Sequence, residues 1–219
     1  VAFTASTAEH RHSRPASVGN GCDACISGWE SGRKKDADIM TMSELNIETA
    51  RLHLRLMRPS DLDELMNIFG DPKVMASFHT DPFSRTQMQH WLEGNLEHQT
   101  TYGYGLFSVV LKSEGVLIGD CGLEHMTVDG NQVTELGYDF RSDYWNRGFA
   151  TEAATAVRDY AFDTLHLPGL ISLIRIGNQA SRRVSEKIGM HFVAEMRRNE
   201  IAYWKYATEN ERFLDNKAA

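Results

Sequence analysis

The chain has 219 residues, of which 42% are apolar and 24% charged. That balance is ordinary for a globular protein and excludes collagen-like, mucin-like and wholly disordered chains. The formal net charge of −7 argues against a general nucleic-acid binder, which is normally basic. No run of about 18 apolar residues occurs, so no membrane span is expected. The three cysteines, Cys22, Cys25 and Cys121, are too few for a disulfide framework and suit a reducing, cytoplasmic setting.

Residues 1–43 are rich in Ala, Ser, Gly and charge and show no sustained period. They read as a disordered leader, or as sequence upstream of the true start. Val1 to His10 lacks the basic and apolar regions of a signal peptide. His10, His12, Cys22 and Cys25 are zinc-ligand types at plausible spacing. A single Cys-x-x-Cys with no packed core around it reads as a thiol-bearing tail, and no metal is expected. One ordered domain is expected over residues 44–213, followed by a short tail at 214–219.

Within that domain, Arg51 to Leu56 alternates at period two and predicts a strand. Ser60 is placed as the N-cap of a helix stopped by Gly70, with Leu62, Leu65, Met66 and Phe69 as its apolar face. Ser84 opens a second helix carrying Met88, Trp91, Leu92 and Leu96 on one side. Strands follow at Leu106 to Leu111, Val116 to Met126 and Gln132 to Phe140, separated by the turns at Ser113-Glu-Gly115 and Asp129-Gly-Asn131. A helix is expected from Ala150 to His166, broken by Pro168-Gly169. The apolar run Leu170 to Ile176 reads as a buried strand. A last helix spans Asn178 to Ile188 before Gly189. Strands at His191 to Arg198 and Ile201 to Tyr206 close the domain. Seven strands interleaved with four helices give an α+β fold with a mixed sheet.

Chemistry concentrates at Tyr144-Trp-Asn-Arg-Gly-Phe-Ala-Thr-Glu-Ala153. A strand ends at Phe140, the chain turns through Gly148, and a helix begins at once. Such a helix start presents unpaired amides at the positive end of a dipole, a seat for phosphate or diphosphate. Arg147 adds a positive charge there. The same residues would also serve as an ordinary helix start. A P-loop is absent, and Gly103-x-Gly105 lacks the third glycine, since position 108 is Ser108.

Trp145-x-x-Gly148-x-Ala150-Thr151-Glu152-Ala153 resembles the acetyl-CoA diphosphate loop of the GNAT N-acetyltransferases. The branch it is most similar to includes the ribosomal-protein-alanine N-acetyltransferases. Three more segments resemble that branch in order and spacing: Glu48 to Arg55, Glu135-Leu-Gly-Tyr138, and Asn178-x-x-Ser181-x-x-Val184-Ser-Glu-Lys187-Ile-Gly189-Met190. Together they span residues 46–208. The resemblance implies a single domain with a mostly antiparallel sheet of about seven strands, flanked by helices. Its fourth and fifth strands would splay into a cofactor cleft, with Gly137 as a possible bulge.

The resemblance further implies acetyl-CoA as co-substrate. Its pantetheine arm would pair with the backbone at Tyr138, Asp139 and Phe140. Its diphosphate would rest on Arg147, Gly148, Phe149, Ala150 and Thr151, with Lys187, Arg182 and Arg183 in reach of its phosphates. Asn178 would meet the pantetheine, cap its helix, or both. Where the wider family often has a tyrosine as general acid, this chain has Ser185. Ser185 would hydrogen-bond the leaving thiolate, or stand as a plain helix-surface serine. Glu135 is the candidate base, acting through water, or a solvated strand carboxylate; Glu124 and His125 are weaker candidates. The implied function is acetyl transfer to a primary amine, a protein N-terminus or small amine, by direct attack in a ternary complex. The alternative is a catalytically silent acyl-CoA-binding module on the same fold. No nucleic-acid or membrane partner is expected, and a monomer or a homodimer would each fit.

Energetics bear on the acceptor. An α-amine of pKa near 8 costs about 1 kcal/mol to deprotonate at pH 7, and a lysine-like amine about 4–5 kcal/mol. Weak acid–base residues therefore suit an α-amine better.

Overall fold

The computed structural model describes residues 45–198 and 200–210. The expectations for residues 1–43, including the His10–Cys25 ligand types, and for the tail at 214–219 lie outside the described residues. The described chain runs β1 (Asn46–Glu48), β2 (Leu52–Leu56), α1 (Leu62–Phe69), α2 (Pro72–Ala76), α3 (Arg85–Tyr102), β3 (Leu106–Leu111), β4 (Val116–Val128), β5 (Asn131–Phe140), α4 (Phe149–Asp163), β6 (Gly169–Arg175), α5 (Gln179–Lys187), β7 (His191–Arg198) and β8 (Ile201–Glu209). The eight strands form one sheet in the order β1-β2-β3-β4-β5-β6-β8-β7. Every neighbouring pair is antiparallel except β5 and β6.

The side-chain period of each strand sorts its residues onto two faces. On one face, Leu52, Leu54, Phe107, Val109, Cys121, Leu123, Leu136 and Tyr138 pack against Ala153, Ala154, Val157 and Ala161 of α4. The small alanines bring this helix close to the sheet. On the other face, Leu106 and Leu117 pack against α1–α3 through Leu65, Phe69, Met88 and Trp91. A third cluster, with Met126, Ile171, Leu173 and Tyr203, closes the sheet around β6 and β8.

Several local expectations change in the structure. Short β1 and α2 were not visible as periodic segments, being only three and five residues long. Ser60 is not the cap of α1. Pro59–Asp61 forms a 3-10 turn, and the Asp61 carboxylate accepts from the Arg58 amide (3.0 Å), Arg55 (two bonds of 2.8 Å) and Ser108 Oγ (2.7 Å). Ser84 does cap α3, in a capping box with Gln87. Gly137 marks no bulge, because β4 and β5 pair without interruption from Gly119↔Phe140 to Val128↔Asn131. Register shifts occur instead at Val109/Val110 and Phe192/Ala194. The cleft has another origin: β5 and β6 are in register at Glu135↔Ile171 alone, and beyond that point they diverge.

Gly122 is required where β4 passes the backbone that enters β3. A Cβ there would lie 2.2 Å from the Gly105 carbonyl oxygen, which itself accepts from the Leu123 amide at 3.1 Å.

Candidate active site

The start of α4 has the geometry expected of an anion seat. Gly148 is the N-cap residue, with φ of 80°, and no side chain caps the helix. The left-handed conformation favours glycine. Asn146, at φ of 61°, completes the turn. Thr151 and Gly148 line an open depression of about 620 Å³ together with Thr155 and Lys187. Two guanidinium groups flank the buried Phe149 ring: Arg51 at 4.3 Å and Arg147 at 5.0 Å from its centroid. Arg147 also lies 5.1 Å from the Tyr144 ring. Arg147, Gly148, Phe149, Ala150, Thr151 and Lys187 are thus brought together.

Arg51 was not singled out from the sequence as a member of this site. Its Nη1 donates to the Arg147 carbonyl at 3.0 Å, and its Nε pairs with Glu152 Oε2 at 2.6 Å. Glu152 Oε1 accepts from Thr49 Oγ1 (2.6 Å) and the Arg51 amide (2.9 Å). Burial pushes the Glu152 carboxyl upward, but these bonds together hold it below its ordinary value. The one acid in the first turn of α4 is therefore neutralised by the segment just before β2. The sequence carries the cue only as a basic residue opening a strand; nothing local says that it crosses to α4. Arg182, by contrast, turns away from this corner, paired with Glu186 at 2.9 Å and over the Trp204 ring at 5.6 Å.

The cleft borders this seat. Past Glu135↔Ile171, the β5 segment Tyr138–Phe140 leaves β6 and keeps only β4 as its register partner. Tyr138 and Phe140 are buried toward α4. The Phe140 carbonyl accepts from Trp145 Nε1 at 2.8 Å, which ties the end of β5 to the turn before Gly148. Asn178 caps α5, its Oδ1 accepting from the Ser181 amide at 3.1 Å.

Ser185 is not a helix-surface residue. It is 0% exposed and sits beside the Tyr138 phenol, which donates to the Ser181 carbonyl at 2.8 Å. Burial raises the Tyr138 phenol above its ordinary range. Glu135 is also placed differently from a solvated strand carboxylate. It is 1% exposed, and its Oε1 accepts from the Leu173 amide on β6 at 2.9 Å. Burial, reinforced by Glu124 directly opposite on β4, pushes the Glu135 carboxyl up to about 8. The Asp139 side chain, expected to matter only through its backbone, is buried next to Asp120 on β4. Asp120 was not singled out either, although a charge inside the apolar run Leu117 to Leu123 is a legible anomaly. Among the described residues, no group of three or more acidic, His or Cys side chains is placed to hold a metal. No described helix is long and apolar enough to cross a membrane.

Comparisons with known proteins agree with this architecture. Residues 51–191 match the family model of the GNAT acetyltransferase domain. The chain is 34% identical over 157 residues to the Bacillus subtilis protein YkkB, covering 71% of this chain and 91% of that one. The crystal structure of an acetyltransferase from Agrobacterium tumefaciens superposes with a TM-score of 0.67 at 26% identity, over 80% of this chain and 99% of that one. A ribosomal-protein-S5-alanine acetyltransferase from Vibrio fischeri shares the fold, with a TM-score of 0.66 at 19% identity over 78% and 99% of the two chains. The chain therefore belongs to the GNAT acetyltransferase family and is an acetyl-CoA-dependent acetyltransferase.

Proposed function

We propose that this enzyme moves the acetyl group of acetyl-CoA to a primary amine, on a protein N-terminus or a small molecule, by direct attack while both substrates are bound. The observation that carries the reading is one junction. The start of α4 at Gly148 has no side-chain cap, and the turn before it is tied through Trp145 to the end of β5, the strand that has parted from β6, so an anion seat adjoins an open strand edge.

In this reading the amides of Arg147–Thr151 hold the diphosphate. Arg51, Arg147 and Lys187 supply the charge that an acidic protein must concentrate locally to bind a polyanion. The backbone of Tyr138–Phe140 completes its ladder with the pantetheine, and Asn178 at the head of α5 meets the same arm. Ser185, with the Tyr138 phenol beside it, stands at the thiolate end. Backbone amides of the splayed strand serve the carbonyl oxygen as negative charge develops there. Glu135 holds β5 to β6 at the root of the cleft and so positions that strand. The buried thiol of Cys121 suits the reducing cytoplasm in which we place the enzyme.

Thiol release from acetyl-CoA, measured against a panel of amines and peptides, tests the reading. Amine-dependent release of CoA is expected, with α-amines favoured. Tight CoA binding without turnover on any acceptor would overturn it in favour of a silent acyl-CoA-binding module. Gly148→Glu places bulk and negative charge at the diphosphate seat, and calorimetric titration with CoA is expected to show no binding.

A further inference from the structure

On the sheet face toward α1–α3, β4 and β5 carry four carboxyl groups on alternate positions: Asp120 and Glu124 on β4, and Glu135 and Asp139 on β5. They face each other in register as Asp120↔Asp139 and Glu124↔Glu135, separated by Gly122↔Gly137. The two pairs differ in their partners. Glu135 is anchored by the Leu173 amide. Asp120 and Asp139 are 1% and 5% exposed, and both oxygens of Asp120 and Oδ1 of Asp139 have no hydrogen-bond partner among the described residues.

A register row crosses the sheet here: Arg55 on β2, Ser108 on β3, Asp120 on β4 and Asp139 on β5. Its one cation and its one hydroxyl are already engaged. Arg55 grips both oxygens of Asp61, and Ser108 Oγ donates to the same carboxylate. On α1, Glu64 accepts from the Leu117 amide and adds no positive charge. Two buried carboxylates side by side, with no donor on three of their four oxygens, cannot both stay ionised. Burial, then Asp139, then Glu124 drive the Asp120 carboxyl far above its usual range, and burial raises Asp139 to about 7. The pair therefore has a use for a proton at neutral pH. It also occupies a telling place, because Asp139 lies within the β5 segment whose outer edge is open to the cleft.

We propose that Asp120 and Asp139 form one acid–base unit that carries a single shared proton in the resting enzyme and takes a proton from the acceptor's ammonium. The proposal rests on the acetyl-transfer reading and names the form in which the acceptor is recognised: a cationic primary amine. One N–H bond of the ammonium breaks and its proton goes to the pair, directly or over one water. The nitrogen lone pair then forms the C–N bond at the acetyl carbonyl. The C–S bond breaks with its electrons on sulfur, and a second N–H proton of the adduct goes to the thiolate. The pair returns its extra proton to solvent. The sum is ammonium plus acetyl-CoA giving amide, CoA thiol and one proton.

The test is the pH profile of kcat/KM for the acceptor, in the wild type and in Asp120→Asn, Asp139→Asn and the double variant. Wild-type activity should rise with pH through the neutral range. The acid limb is the loss of the pair's second proton, when the neighbouring carboxyl is neutral, so Asp120→Asn should keep it near neutrality, where burial alone raises Asp139, and Asp139→Asn should relocate it to the titration of Asp120 alone. The double variant should lose about 100-fold or more in kcat while its CoA affinity changes less than about twofold. Disappearance of the neutral-range limb in a folded Asp120→Asn variant, or wild-type turnover in the double variant, would overturn the proposal. Infrared titration of wild-type protein labelled at the aspartate carboxyl carbons needs no variant to fold and no turnover. It should show one protonated buried carboxyl titrating near neutrality, and full ionisation of both aspartates at pH 7 sinks the proposal. Absence of wild-type turnover on every acceptor is a failure of the acetyl-transfer reading, and the infrared result separates that from a failure of the pair.

Discussion

Arg51 shows how much one side chain can carry at the diphosphate seat. It stacks on Phe149, holds the Arg147 carbonyl and cancels Glu152, all through a single guanidinium. It is nearly half exposed, so its pairing with Glu152 adds little to global stability. Its value is local. Removing it leaves an uncompensated carboxylate in the first turn of α4, at the point where a doubly charged group must dock. Arg51→Ala should therefore raise the Kd for CoA about tenfold or more, equivalent to about 1.4 kcal/mol. Adding Glu152→Gln to Arg51→Ala should recover part of that loss, since the repulsive charge is gone. Calorimetric titration of the single and double variants reads this directly. Equal affinities for the two would show that Arg51 acts without neutralising Glu152.

At the scale of elements, the decisive event is the parting of β5 from β6, and Glu135 sits where it begins. Its carboxyl, raised to about 8, is mostly protonated at neutral pH, and its Oε1 accepts from Leu173. Glutamine can make the same acceptor bond, and alanine cannot. Glu135→Gln should keep most of the wild-type turnover, while Glu135→Ala should lower both kcat and melting temperature as the strand junction loosens. A large loss of kcat in Glu135→Gln with CoA affinity intact would return Glu135 to the role of base. The sequence exposed the elements themselves well, because alternation at Leu52–Leu56 and the helix start at Ser84 are local signals. It also carried the Gly148 turn, since chain direction and glycine coincide there. It did not show which carboxylates share a partner. Asp120 and Asp139 are 19 positions apart, and only the β4–β5 register places them opposite one another. The same holds for Arg51 and Glu152, which meet between the entry to β2 and α4. Nor did it show that the cleft opens by loss of strand pairing rather than at a bulge, because register is a property of two strands and not of Gly137.

For the whole molecule, these buried acids set the direction of the pH dependence of stability. Glu135 and Asp139 have folded values near 8 and 7, against ordinary values of 4.5 and 3.8, and Asp120 is shifted the same way. Between the ordinary and the raised values the folded state binds more protons than the unfolded chain, so stability falls as pH rises through that range. Asp61 and Glu152 act at the other end. Burial opposes their ionisation, but Arg55 with Ser108, and Thr49 with Arg51, hold both below their ordinary values. Their contribution is present above about 4 and is lost as pH drops through the lower folded values. The melting temperature should therefore peak in mildly acidic buffer and decline from about pH 5 to about pH 8. General repulsion within a chain of net charge −7 would produce a decline of the same sign, but salt screens it, with a Debye length of about 3 Å at about 1 M. Proton uptake by buried carboxyls is screened far less. Melting curves across pH at low and high salt separate the two, and the decline should persist at high salt. It should flatten in the Asp120→Asn/Asp139→Asn double variant and flatten further when Glu135→Gln is added. A melting temperature that climbs from pH 5 to pH 8 would mean that these carboxyls are ionised and partnered in the folded protein.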